Sequence, residues 1–97
     1  MKFTEQEVMA GIDRHNAEID KYMDDILPQQ LAEEGYEVKD GMVAIAAWPT
    51  VQRLIRQQSF YLKGKYLQDA FRLDGWDVKM DLLSSDKLIF CGRIEWT

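Results

Sequence analysis

The side chains with intrinsic reactivity are few and far apart. His15 is the sole histidine and Cys91 the sole cysteine among 97 residues. A nucleophile-base pair or a triad needs partners that no motif near either residue supplies. One cysteine excludes an internal disulfide framework, and one histidine beside it leaves no cluster for a zinc site. His15 reads as a polar residue on a helix seam and Cys91 as a small filler on a strand. Carboxylates are abundant, in Asp24-Asp25, Glu33-Glu34 and Asp74 with Asp77. General acid-base work needs such groups converging in a cleft, whereas these fall at the ends of elements. No Asp-x-Asp-x-Asp-Gly calcium loop is present. Lys63-Gly64-Lys65 lacks the spacing and the strand-loop-helix setting of a phosphate loop. These residues predict a chain that is not an enzyme, with no catalytic residues, no metal and no cofactor.

Charge says more about partners. Residues 1–40 hold eleven acids and four bases (net −7), residues 41–72 one acid and five bases (net +4), and residues 73–97 five acids and three bases (net −2). The overall −5 disfavours non-specific binding to a phosphate backbone, which is neutralised by Lys and Arg. The central basic island, Arg53, Arg56, Lys63, Lys65 and Arg72, is interleaved with Gln52, Gln57, Gln58, Phe60 and Tyr61. Such a mixture contacts phosphates and stacks on bases in nucleic-acid modules, so that binding mode is the alternative reading. No run approaches the roughly 18–20 apolar residues of a bilayer span, and Met1 to Glu5 carry no apolar run of the signal-peptide kind. A cytoplasmic protein without membrane contact is expected.

The elements that position these residues can be traced along the chain. Thr4 and Glu7 form a capping box and predict a helix start. Val8, Ile12, His15, Ile19, Tyr22 and Ile26 follow at spacings of four and three, a heptad seam that could pair with its own copy in a homodimer. A histidine on such a seam would make association respond to pH near neutrality. Pro28 predicts a break at Leu27 and a short segment to Glu34, which Gly35 closes with a left-handed cap. Asp40-Gly41 is a two-residue turn that would pair Val38 with Val43 and Tyr36 with Ile45 in a first hairpin ending at Trp48. Pro49 opens a second helix that runs through Val51, Leu54, Ile55, Leu62, Tyr66, Ala70 and Leu73. Gly64 within it marks a break or a close packing point. Trp76 to Leu82 and Leu88 to Ile94 alternate as a second hairpin around Ser84-Ser85-Asp86. The register expected there pairs Leu82 with Leu88, Met80 with Phe90 and Trp76 with Ile94, with Asp77 opposite Arg93.

The expected fold is one α+β domain over residues 1–97, ordered α-β-β-α-β-β. It would comprise two helix-then-hairpin units, about 4–48 and 49–97, with helices packed on antiparallel sheet. Gly35-Tyr36-Glu37-Val38-Lys39 and Gly75-Trp76-Asp77-Val78-Lys79 raise the possibility of a duplication. Aromatic residues make up 11% of the chain, more than so small a core holds, and Tyr and Trp anchor interfaces. Trp48, Tyr61 and Trp96 are the candidate contacts, with Asp24 and Asp25 steering towards a basic target. The function this supports is a protein-binding inhibitor or adaptor. A nucleic-acid-handling enzyme is one partner that an acidic face would suit.

Overall fold

A computed structural model describes residues 3–81 and 86–95. Helix α1 (Glu5–Lys21) starts where Thr4 and Glu7 cap it reciprocally. The Glu7 amide donates to Thr4 Oγ1 and the Thr4 amide to Glu7 Oε1, each at 3.1 Å. Pro28 does not end the helical path. Residues Tyr22–Ile26 form a π-helical turn in which the Leu27 amide donates to the Tyr22 carbonyl five residues back, and α2 (Leu27–Glu33) continues with Pro28 in its first turn. The wider turn absorbs the donor that proline lacks. It also shifts the buried face by one position: Leu27 and Leu31 are buried and Ile26 is exposed, so the seam ends at Tyr22. Gly35, at φ +90°, closes α2 as expected. Its amide donates to the Ala32 carbonyl and that of Tyr36 to the Leu31 carbonyl, a Schellman cap.

The first hairpin reduces to its turn. Asp40 and Gly41 take φ of +53° and +76°, and Lys39 and Met42 exchange both backbone hydrogen bonds, but no ladder extends from them. Tyr36, Val38 and Val43 instead pack beside the first core, while Ile45 points outward at the start of a 3-10 turn, Ile45–Ala47. An isolated two-stranded ribbon is marginal, and among the described residues no third strand lies alongside to support it. The order α-β-β-α-β-β is therefore not formed. The chain is helical with a single two-stranded antiparallel sheet among the described residues. Gly35 and Gly75 share a positive-φ cap, but only the second leads into a strand.

The second helix is split, though not at Gly64. Helix α3 (Trp48–Gln57) ends at Gln58-Ser59, where Ser59 has φ +61°, and α4 (Phe60–Leu73) follows. Strands β1 (Trp76–Asp81) and β2 (Lys87–Arg93) pair with Val78 opposite Phe90, Met80 opposite Leu88 and Asp81 opposite Lys87. This is two residues from the expected register; the Leu82–Leu88 pair lies partly outside the described residues. A bulge at Cys91-Gly92, with Gly92 at φ +93°, brings Arg93 opposite Trp76, where its guanidinium lies 4.4 Å from the ring centroid. Asp77 and Arg93 are thus not the pair, and Cys91 is exposed.

Two apolar clusters result. One joins Ile19, Tyr22, Leu27 and Leu31 to α3 and Phe60; the other joins Val8 and Ile12 to Phe71, Trp76, Val78 and Leu88. Val8 and Ile12, from the first expected unit, complete the core of the second. The continuous helical path of residues 5–33 would span about 43 Å at about 1.5 Å per residue. That exceeds the 22 and 21 Å transverse extents, so the path follows the 51 Å long axis.

Candidate functional site

Three polar side chains, His15 and Gln68 buried and Asn16 partly so, hold the hairpin to the helices. His15 donates from Nε2 to the Asp86 carbonyl at 3.0 Å. Asn16 brackets Leu88, donating to its carbonyl at 2.9 Å and accepting from its amide at 2.8 Å, as a neighbouring strand would. Gln68 donates to the Val78 carbonyl at 2.8 Å. These bonds satisfy backbone groups of the hairpin that would otherwise be left unpaired beside the helices. Five of the six seam residues, Val8, Ile12, His15, Ile19 and Tyr22, are buried within the chain's own cores. The seam is covered by the domain itself, and pairing it with a second copy would require opening the core.

Helices α1 and α4 meet through two glycines. A Cβ on Gly11 would stand 2.9 Å from Phe71 Cζ; one on Gly64 would stand 2.9 Å from Met80 Cε and 3.0 Å from His15 Nε2. Gly64 is thus a packing point. Phe71 of α4 sits on Gly11 of α1, His15 of α1 sits on Gly64 of α4, and the two helices run antiparallel. The hairpin covers one side of this pair. The opposite side is an open groove of about 830 Å³ lined by Ala10, Gly11, Leu62, Leu67, Ala70 and Phe71, among others, with Glu7, Arg14, Glu18 and Lys63 along its rims. Leu62 and Tyr66 are 67% and 75% exposed, and Leu73 continues the same face. These residues, expected in the core, form an outer apolar stripe. Phe60, Gly64, Gln68 and Phe71 supply the inner one.

A second apolar surface lies on the connector before α3. Met42 is 73% and Ile45 92% exposed, and Trp48 is half exposed. Asp24 and Asp25 lie exposed on the π turn, and Tyr61 is half exposed at the start of α4. Trp96 lies outside the described residues. The sequence signals that could have found these surfaces are the unbroken nonpolar run Met42 to Pro49 and the two apolar stripes of α4.

The basic residues do not gather. Arg53 pairs with Glu34 and Lys65 with Asp69 at 3.3 Å. Lys63 and Lys65, two positions apart on a helix, point to opposite sides. Arg56 stands close enough to Asp86 to affect its titration. Burial raises the Asp86 carboxyl above its usual value, with His15 and Arg56 opposing the shift. Burial likewise pushes the Tyr22 hydroxyl up, partly offset by a hydrogen bond with Gln58. Tyr22 also donates to Gln30 Oε1 at 2.6 Å. Among the described residues, no group of three or more His, Cys, Asp or Glu is placed to hold a metal ion, and no helix is long and apolar enough to cross a membrane. Set beside protein-family models, curated proteins and solved structures, the chain matches none of them.

Proposed function

We propose that this chain is a non-catalytic adaptor or inhibitor that binds a protein partner through the connector Met42–Trp48. The observation that carries the reading is the exposure of Met42, Ile45 and Trp48 within seven residues. Burying one large apolar side chain contributes roughly 1.5–3 kcal/mol, so a partner that covers all three gains a substantial anchor. The connector follows an acidic stretch, Glu33, Glu34, Glu37 and Asp40 against Lys39, and Asp24 and Asp25 add exposed charge on the spine. A partner with basic groups around an apolar pocket complements this surface. Dispersal of the five bases over two helices, two of them already paired, counts against the nucleic-acid alternative.

The test is affinity capture from host extract with wild-type protein, Ile45→Glu, Trp48→Ala and the Asp24→Lys/Asp25→Lys double variant. Direct titration of any enriched partner follows. Expected is a partner whose affinity falls at least about tenfold with Ile45→Glu and less with the charge variant. Equal affinity for wild type and Ile45→Glu would remove the connector from the interface.

A further inference from the structure

We infer that the α1/α4 face is the interface of a homodimer, with a second copy of this chain as the occupant of the groove. The inference does not rest on the adaptor reading. Helix α4 is apolar on two sides. Phe60 and Phe71 enter the cores, while Leu62, Tyr66 and Leu73 look outward. A helix that is apolar on both sides is ordinarily covered on both. Here the hairpin covers one side and the other, with Leu62 and Tyr66 exposed on it, has nothing packed against it among the described residues.

Charge selects the occupant. Along the groove, α1 presents Glu7, Glu18 and Arg14 (net −1) and α4 presents Lys63 (net +1). The face thus has an acidic half and a basic half side by side, and its complement is itself, turned over. Two face-to-face arrangements have two-fold symmetry. An axis across the helices stacks α1 on α1 and α4 on α4, acid against acid and base against base. An axis along the helices stacks α4 of one copy on α1 of the other, so that unlike charges meet and neighbouring helices stay antiparallel. The second arrangement is a four-helix bundle with Leu62 and Tyr66 at its centre. Heights along the bundle follow from the contact of His15 with Gly64, which sets Lys63 beside the Arg14–Glu18 turn. Lys63 therefore reaches the partner's Glu18. Arg14, Glu18 and Lys63 make no ion pair or side-chain hydrogen bond with the described residues of their own chain.

The test is sedimentation equilibrium from about 1 to 300 µM, with circular dichroism confirming that each variant stays folded. Wild type should approach twice the 11.4 kDa chain mass. Leu62→Glu, at an exposed position that the monomer fold does not use, should weaken association about a hundredfold or more, because two-fold symmetry counts the loss twice. Glu18→Lys and Lys63→Glu should each weaken it about tenfold, and the double variant should restore it, since each copy then carries the swapped pair. A monomer at every concentration overturns the inference and returns the groove to a foreign helix or an amphiphile. A dimer indifferent to Leu62→Glu, or a double variant no tighter than either single one, overturns it equally.

Discussion

Replacing Gly64 with alanine sets helix propensity against packing, and the structure says which wins. In a helix interior alanine is favoured over glycine by about 1 kcal/mol. At residue 64 the new Cβ would lie 2.9 Å from Met80 Cε and 3.0 Å from His15 Nε2. The methionine end is flexible and moves cheaply. The imidazole is held by its 3.0 Å hydrogen bond to the Asp86 carbonyl, so moving it strains or breaks that bond. Overpacking costs about 1–3 kcal/mol, and a buried polar group left without a partner costs a further 1–3. The net expectation is a loss of about 2 kcal/mol, or roughly 8–16 °C in Tm for a domain of this size. Thermal melts of wild type, Gly64→Ala, His15→Ala and the double variant form a cycle. With the imidazole gone, Gly64→Ala should turn neutral or stabilising, because only the methionine end must give. A Gly64→Ala variant at least as stable as wild type in the presence of His15 would refute the reasoning.

Two other substitutions follow from backbone and burial. Ser59 sits at φ +61° with no side-chain cap bond, so Ser59→Gly should raise stability by about 0.5–1 kcal/mol and Ser59→Val should lower it by 1–2; chemical denaturation distinguishes these. Tyr22 has its pKa raised by burial, so the fold disfavours its phenolate. Its contribution is complete below the unfolded value of about 10 and is lost as pH rises through the folded value. In an alkaline titration followed by the phenolate absorbance, one of the four tyrosines should lag the others and ionise with unfolding, and Tyr22→Phe should abolish that lag.

Local chemistry made some of this fold legible and tertiary context hid the rest. The Thr4–Glu7 box, the Gly35 cap and the Asp40-Gly41 turn each depend on a few adjacent residues, and each forms as read. The existence of the second hairpin was legible from its alternation. Its register was not, because a slide of two residues keeps the same side chains on each face: the strands already pair Asp81 with Lys87, two residues from the expected register, and the bulge at Cys91-Gly92 shifts only the far end, by one. Pro28 signalled a disturbance but not its kind: a π turn keeps the helix going and rotates Ile26 out in favour of Leu27. Helix α4 offered two apolar stripes, and periodicity cannot say which one faces inward. That was decided by Gly64 and Gly11, whose missing side chains let α1 approach one stripe and leave the other bare. The candidate surfaces were half visible. Residue type marks Trp48 and Tyr61, whereas the local pattern places Met42 and Ile45 in a strand and Leu62 and Tyr66 in the core, because nothing local says that a fold leaves them out.

The two proposals bear on each other through geometry. The path α1–π–α2 follows the long axis of the molecule, and the connector lies at the α2/α3 end of that axis. A two-fold axis along the helices preserves position along them, so both copies of Met42–Trp48 fall at the same end of the bundle. The alternative axis, across the helices, would send them to opposite ends. A dimer of the first kind grips a two-fold partner at two adjacent sites, and the second contact forms at the effective concentration set by the first. Leu62→Glu, which leaves the connector intact, should then weaken capture of such a partner by about 10²-fold or more when the partner is dimeric and leave binding of a single partner site unchanged. Equal loss in both formats would mean that Leu62 itself touches the partner, and the groove would belong to the partner and not to a second copy.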